Sequence, residues 1–520
     1  MNLNKKYLLL SILSGLLFGL SWPVKGIVFL IFVAFIPLLL IEREVREKSV
    51  LQVYFYSFLS FIIWNSITSW WLINSTVFGM FFAIILYSLL MALVFTSYSL
   101  ISKKLGNKLG FIFFISSWIV FEKFNLSWEF SWPSLILGNV FSESHQLIQW
   151  FEFTGALGGS LWILVVNLVF FETFNQYLNK KYYLNKLSIG LLFISFPIII
   201  SLFLYKQDTD KEKFLDIIII QPNIDPYNKK YGRTNFQILE EFKEKTKDEK
   251  FNNKLIITPE TYFSESPGYL LNDFFSTPFY KSLDYYLNKK NSEILSGIQF
   301  YKIYNSSKEK TKSSNYIKDS IWVDIYNSSF INSNRNQVYH KSKLVVGVEN
   351  LPYKSILEPL LGNLLLDFGG TVMTRASQPN RSVFKTKSNT LIAPVICYES
   401  MYGEYMTEYV RNGAQLITII TNDGWWGNSP GHKQLLSYSK LRSIELRRSI
   451  ARSANTGISA IINEKGDIIK SIEYENNGAI SDKILLSDKI TFYVKYGDYI
   501  FRISLFFFTI IFLSYFAKKK

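Results

Sequence analysis

Apolar and charged residues are segregated along this chain more sharply than a soluble fold tolerates. A helix needs about 20 apolar residues to cross the hydrocarbon core of a bilayer. Runs of that kind fall at 7–22, 26–41, 52–73, 76–101, 105–121, 160–177 and 187–205, and one more lies at 499–516. Between the seventh and the eighth, the pattern changes to short apolar stretches separated by polar ones. The composition agrees: 49% hydrophobic residues exceed what an ordinary soluble protein carries, and 19% charged residues exceed what a pure membrane bundle carries. The chain therefore divides into an N-terminal membrane domain of about seven spans (1–205), a water-facing domain (206–497), and a C-terminal span with a basic tail (498–520).

The distribution of Lys and Arg sets the orientation. Lys5 and Lys6 precede the first run. Arg43, Arg46 and Lys48 follow the second, Lys103, Lys104 and Lys108 the fourth, and Lys180, Lys181 and Lys186 the sixth. Lys518, Lys519 and Lys520 close the chain, whereas the short loops of the opposite side hold only Lys25 and Lys123. Both termini are expected to be cytoplasmic, with 206–497 outside. The first run lacks a small-x-small cleavage site in "GLLFGLSWP", and the next run follows at once, so it reads as a retained helix rather than a signal peptide. The net charge of +15 invites a nucleic-acid reading. No basic-aromatic motif supports it, and no nucleic-acid partner is expected. A single cysteine excludes an internal disulfide, and the scattered His145, His340 and His432 suggest no metal centre. The stretch "WEFSWPSLILGNVF" (128–141) is too short and polar to span. It reads as an interfacial or re-entrant segment with Trp128 and Trp132 at headgroup depth, or equally as an aromatic belt.

Within 206–497, "LDIIIIQPN" (215–223), "KLIITPE" (254–260), "EILSGIQ" (293–299), "TLIAPVICYE" (390–399) and "QLITIITND" (415–423) read as buried strands. Residues 320–330 and 336–340 read as further strands, and 234–250 and 433–452 as helices, an α/β pattern. Reactive groups in such folds collect where strands end. Three strand ends stand out: Glu260, Lys341 and Cys397, the lone thiol. Singly, each has an ordinary explanation as a cap, a solvated charge or a small hydrophobe. Together they form a chemically complete set. A thiol is nucleophilic only as thiolate. Glu260 is placed to take its proton, and Lys341, with the backbone N–H after Cys397, to stabilise the thiolate and then an oxyanion. The implied reaction is acyl transfer through a thioester, with no histidine and no cofactor.

The order "PE", "YHKSKLV", "ICYE" resembles the nitrilase, or carbon–nitrogen hydrolase, superfamily with its Glu–Lys–Cys triad. A domain of that kind between seven spans and one span is similar to the apolipoprotein N-acyltransferase family. "QPNID" (221–225), "YHKSKLVVGVENLP" (339–352), "ICYES" (396–400), "TNDGWWG" (421–427), "RSANTGISA" (452–460) and "SWPSLILGN" (131–139) carry the resemblance. It implies a helical membrane domain joined to an αββα nitrilase-like sandwich. It implies Cys397 as nucleophile, Glu260 as general base and Lys341 as oxyanion stabiliser, with Glu349, Tyr398 and Glu399 in support. Trp425 and Trp426 would line the acyl path. The implied donor is a phospholipid, typically phosphatidylethanolamine, and the implied acceptor is the N-terminal amine of a diacylglyceryl-cysteine on an apolipoprotein. A monomer in the bacterial inner membrane, with the catalytic domain periplasmic, completes the expectation. Val346 and Gly347 stand where the family usually has proline and an aromatic, and Ser134 where it often has tryptophan.

Both implied substrates carry acyl chains that are costly to lift into water, at about 0.8 kcal/mol per CH₂. "ILEPLLGNLLLDFGG" (356–370) is very apolar for a water-facing domain. It reads either as a lid dipping toward lipid through Leu364 and Leu365 or as a core helix. Two other functions compete. A membrane-anchored amidase would use the same triad with water. A transport or binding protein would leave the triad idle, and the absence of charges well inside the spans argues against ion-coupled transport.

Overall fold

The computed structural model describes residues 4–207, 213–225, 230, 232–333, 336–359 and 373–518. The proposed lid residues Leu364 and Leu365 lie outside them. The chain forms two compact units, residues 1–207 with 496–520, and 208–495.

The first unit is helical: α1 (Lys5–Ser21), α2 (Ile36–Val45), α3 (Val50–Ser69), α4 (Val77–Leu105), α5 (Asn107–Asn125), α6 (Phe151–Leu178) and α7 (Leu184–Lys206), with the terminal helix Tyr499–Ala517. Asn4, Ser49 and Thr76 cap α1, α3 and α4 through their side-chain oxygens. Among the described residues, five helices are long and apolar enough to cross a membrane: Val50–Asn74, Val77–Leu105, Phe151–Leu178, Leu184–Lys206 and Tyr499–Ala517. Eight spans were expected. The first run forms a helix of 17 residues, and the fifth run forms α5, which carries Lys108, Glu122 and Lys123 towards its ends.

The second expected span, 26–41, is not one helix. Val28–Val33 is a 3₁₀ turn and α2 begins afresh at Ile36, with Pro37 in its first turn. Proline lacks an N–H and clashes with the preceding helical turn, so it is favoured in the first turn of a helix. Backbone groups freed in an apolar setting must find partners inside the protein. Asn167 of α6 supplies two: its Oδ1 accepts from Phe35 N at 2.9 Å, and its Nδ2 donates to Ile31 O at 2.9 Å. Ser14 donates to Ala34 O at 2.6 Å.

The 128–141 segment resolves in the same way. Pro133–Leu135 and Leu137–Leu147 are 3₁₀ turns, and residues 133–142 are buried within this unit. Leu137 N donates to Glu122 Oε1 at 2.8 Å and Gly138 N to Ser160 Oγ at 3.1 Å. A Cβ at Gly138 would lie 1.9 Å from Ala156 O, so this close crossing requires glycine.

The second unit holds two sheets. The eight-stranded sheet orders β14 (Gly478–Leu485), β1 (Phe214–Gln221), β2 (Leu255–Ile257), β4 (Glu293–Tyr304), β6 (Ile321–Ile331) and β5 (Asn315–Lys318); β3 (Tyr269–Leu270) pairs with β4 and β7 (Gln337–His340) with β6. The six-stranded sheet orders β13 (Ile468–Ile472), β12 (Ser459–Ile462), β11 (Ile450–Ala454), β10 (Leu416–Thr421), β9 (Leu391–Ile396) and β8 (Phe384–Lys385). β1 is buried on both faces. Ile218 and Ile220 join a core with Leu239, Phe242, Phe279 and Leu283 of the helices Asn235–Lys245 and Pro278–Lys289. From its far edge, Ile220 O accepts from Ser453 of β11 in the other sheet at 2.9 Å. Continuous Ile runs follow from that double burial. The helix expected over 433–452 ends at Leu446. Arg447 adopts a left-handed conformation with φ +47°, and β11 follows.

Candidate active site

The site is assembled at strand ends: Glu260 and Cys397 follow strands with parallel neighbours, and Lys341 follows an antiparallel one. Glu260 follows β2, which runs parallel between β1 and β4. Its segment crosses β4 at Gly297, where a Cβ would lie 2.3 Å from Thr261 N and 2.7 Å from Glu260 Cα. Lys341 follows β7, and its N–H donates to Asn327 O of β6 at 2.8 Å. Cys397 follows β9 and adopts φ +50°, a region that costs energy for a residue with a Cβ. The chain thus leaves the strand abruptly into the 3₁₀ turn Cys397–Met401. β10 runs parallel to β9 with Ile420 opposite Ile396, so the next residues along, Thr421 and Cys397, are neighbours.

Lys341 Nζ lies 2.9 Å from Glu260 Oε1 and 2.9 Å from Glu349 Oε2. Asn327 Nδ2 donates to both carboxylates, at 2.7 Å to Glu260 Oε1 and 2.8 Å to Glu349 Oε1, and fixes their spacing. Lys341 is 1% exposed and Glu260 6%. Burial alone would lower the Lys341 ammonium, but the two carboxylates and Cys397 overcome it and hold the group well above its ordinary value. Burial would raise Glu349; the Lys341 ammonium and hydrogen bonds from Val345 N and Asn327 hold it below the ordinary carboxylate range. The Cys397 thiol is pushed up by burial first and by Glu260 next, with Lys341 and Thr421 pulling it down. The resting sulfur is therefore a thiol, and any thiolate must be generated by proton transfer to a neighbour.

Glu399 does not face this cluster. Its Oε1 accepts from Tyr339 OH (2.6 Å), Tyr405 OH (2.7 Å) and Ser342 N (2.6 Å), and its Oε2 from Ile396 N (2.8 Å). Fully buried, it ties the strand that carries Cys397 to the loop that carries Lys341. Tyr398 is buried against Tyr402, with ring centroids 5.3 Å apart. Trp425 and Trp426 are half-buried on the 3₁₀ turn Asp423–Trp426 that follows β10. Trp132 belongs to the helical unit, where it packs on Trp71.

Several buried groups at the site escaped the sequence reading. Lys230 is 4% exposed, and its Nζ donates to Glu260 O at 3.1 Å. With the Asn422 amide oriented by its neighbours, its oxygen accepts from Lys230 Nζ at 3.1 Å and Trp425 Nε1 at 3.2 Å. Burial lowers the Lys230 ammonium to about 8, against the pull of Glu260 and Cys397. Thr421 Oγ1 lies 3.2 Å from Cys397 Sγ and 2.6 Å from Asp423 Oδ1, and Arg452 Nη2 of β11 lies 2.7 Å from Asp423 Oδ2. The signal for Asp423 was its position at the end of an apolar strand. Lys230 gave none, sitting in a charged loop. Among the described residues no group of His, Cys, Asp and Glu is arranged to hold a metal.

A buried lysine between carboxylates at strand ends of one sheet, beside a strained cysteine at a strand end of the other, defines a class of thiol enzyme. Residues 219–488 match the carbon–nitrogen hydrolase family, and the chain belongs to it. Residues 14–169 match the apolipoprotein N-acyltransferase N-terminal domain. Among curated relatives, the apolipoprotein N-acyltransferase of Chlorobaculum tepidum is 27% identical, covering 95% of this chain and 94% of its own. The apolipoprotein N-acyltransferase of Thermotoga maritima is 26% identical, covering 96% and 91%. Among solved structures, an amidase of the nitrilase superfamily from Nesterenkonia AN1 aligns with a TM-score of 0.37 at 11% identity, over 56% of this chain and 96% of its own.

Proposed function

We propose that this enzyme N-acylates lipoproteins through a thioester on Cys397. It is an acyltransferase and a bacterial membrane protein, in keeping with its two family matches and its five apolar helices. The alternative of a membrane-anchored amidase is not favoured, because the apolipoprotein N-acyltransferase N-terminal domain accompanies the hydrolase domain. The finer reading concerns donor, acceptor, residue roles and topology. The observation that carries it is the buried Glu260–Lys341–Glu349 cluster at the strand ends beside Cys397.

In the first half-reaction the Cys397 thiol gives its proton to the Glu260 carboxylate as the sulfur attacks the sn-1 ester carbonyl of a phospholipid, phosphatidylethanolamine in the first instance. The oxyanion is met by the Lys341 ammonium and by the backbone N–H of Tyr398. Collapse expels the lysophospholipid alkoxide, which recovers the proton from Glu260. In the second half, the α-amine of a diacylglyceryl-cysteine loses a proton to Glu260 and attacks the thioester. The leaving sulfur takes that proton from Glu260, which restores the thiol and the carboxylate. Glu349 and Asn327 keep Lys341 charged and aimed, and Glu399 locks the two loops. Trp425 and Trp426 contact acyl chains in this reading, with Trp132 at headgroup level. The catalytic unit faces the periplasm, both termini are cytoplasmic, and the protein works as a monomer in the inner membrane.

The test is intact mass. Purified protein incubated with phosphatidylethanolamine in detergent should gain one acyl mass that neutral hydroxylamine removes and a diacylated lipopeptide discharges. Cys397→Ala should gain nothing. Wild-type protein that never gains acyl mass, while the phospholipid stays intact, would remove the central step.

A further inference from the structure

The Cys397 sulfur has a partner that neither carboxylate nor lysine explains. Thr421 Oγ1 stands between Cys397 Sγ and Asp423 Oδ1, at 3.2 and 2.6 Å. A hydroxyl has one proton, so it can donate to only one of them at a time. Thr421 and Asp423 are 0% exposed and Arg452 is 1%, so no solvent competes for these bonds. Asp423 holds a second bond, from Arg452 Nη2 at 2.7 Å, and keeps it whichever way the hydroxyl points. The 2.6 Å distance favours donation to Asp423 while the sulfur is protonated, with the S–H donating to Thr421 Oγ1.

We infer that Thr421 is a switching donor to the nucleophile: its O–H points to Asp423 while Cys397 is a thiol and turns to the sulfur once the thiol proton has left. This rests on the reading of Cys397 as nucleophile. It accounts for a carboxylate placed where it opposes the thiolate: Asp423 is the waiting acceptor that orients the hydroxyl, and Arg452 neutralises it when the hydroxyl departs. The charged groups around the sulfur are Glu260 and Asp423, which raise it, and Lys341, which lowers it; Lys230 also feels the sulfur's charge. Strand register supports the assignment, since parallel pairing of β9 with β10 sets residue 421 beside residue 397 whatever its side chain.

The experiment reads the sulfur alone. The chain has one cysteine, so alkylation of full-length protein in detergent by iodoacetamide, followed by intact mass and corrected for the slower amine adducts seen in Cys397→Ala, reports Cys397. Rates are taken from neutral to alkaline pH for wild type, Thr421→Val and Thr421→Ser. Valine keeps the shape and removes the donor. Losing a hydrogen bond to a charged group should slow alkylation by about tenfold or more below the titration of the thiol and displace the profile to higher pH. Serine should restore the wild-type profile. A looser fold would expose the sulfur and speed alkylation, so slowing cannot arise from damage. A Thr421→Val profile that overlays wild type, or alkylates faster, overturns the inference. Phospholipid acylation is scored separately. A shifted alkylation profile in a wild type that forms no thioester would sink the acyltransfer reading and leave the switch standing. A thioester in wild type with no shift in Thr421→Val would do the reverse.

Discussion

The two units bury polar groups for different ends. In the helical unit the buried polar side chains are mostly neutral, and they repair backbone. Asn167 bridges the break before Pro37, and Ser160 holds the turn at Gly138. Glu122, a carboxylate, does the same work at Leu137 N. In the α/β unit the buried polar groups at the site include charges held in pairs and clusters. Lys341 faces Glu260 and Glu349, and Asp423 has Arg452. A hydrogen bond to a stranded peptide group is a local repair whose loss is local. A buried charge needs its partner, and removing one leaves the other's desolvation uncompensated. The first arrangement stabilises a fold with irregular backbone in an apolar setting. The second keeps charged groups out of water around the cysteine.

The largest effect expected from this contrast is at Lys341. Lys341→Met leaves two buried carboxylates within hydrogen-bond reach of Asn327 and of no cation between them. Stability should fall by about 3–5 kcal/mol, and thioester formation by at least about a hundredfold. Adding Glu349→Leu removes one of the stranded charges. The double variant should recover part of the stability and none of the activity, measured by denaturant unfolding and by intact-mass acylation. A Lys341→Met protein as stable as wild type would break the distinction between charge clusters and backbone repair.

How far the sequence exposed these arrangements depended on what each residue's neighbours looked like. β1 and β10 were legible because a strand buried on both faces must be apolar throughout. Glu260, Lys341 and Cys397 were legible because each closes such a run or follows a short strand. Lys230 was not, because it sits in the charged, polar run "YNKKYGR", and burial is decided by what packs over a residue. β11 was hidden because its first residues, 450–452, were assigned to the end of the 433–452 helix. The second apolar run was long enough to be read as one unbroken helix. Pro37 inside it was the warning, but whether a proline kinks or breaks a helix depends on a partner such as Asn167, distant in sequence. Hydrophobic pattern reveals what is buried, and it is silent on which polar group meets which across the fold.

A middle-sized effect should appear at Asn167. Asn167→Leu keeps bulk and apolarity but strands Phe35 N–H and Ile31 C=O. Each stranded backbone group costs about 1–3 kcal/mol, so with two of them the helical unit should lose at least about 2 kcal/mol. The loss should be visible in the thermal midpoint of its far-ultraviolet helical signal in detergent. Alkylation of Cys397 at neutral pH should keep its wild-type rate, since nothing at the site is changed. A variant with an unaltered midpoint would show that the break at 34–36 needs no side-chain partner, and would remove the basis for treating the neutral polar groups as backbone repair.

The smallest effect is a pH dependence confined to the α/β unit. His340 accepts or donates at Ser328 Oγ across 2.6 Å and packs on Tyr326, and burial pushes its imidazolium down to about 4 from the ordinary 6.5. The sign follows from proton counting. Between about 6.5 and 4 the unfolded chain binds a proton here that the folded chain refuses. The stability this group allows is therefore full above 6.5 and is lost as the pH falls through that window. A shift of this size is worth about 3 kcal/mol at the acid end. Thermal midpoints of the wild type should drop between pH 6.5 and 4, and His340→Gln, which keeps a hydrogen-bonding group beside Ser328 and cannot ionise, should drop less. Equal acid loss in both proteins would move the sensitivity elsewhere in the unit. His432 is the first place to look, because burial lowers it to about 4 as well, and its ring stacks on Tyr474 within reach of the Asp423–Arg452 pair's charge. In that case acid would loosen the strand ends behind the nucleophile before the sheet that carries His340, and the fall in stability should be accompanied by a faster alkylation of Cys397 at the same pH.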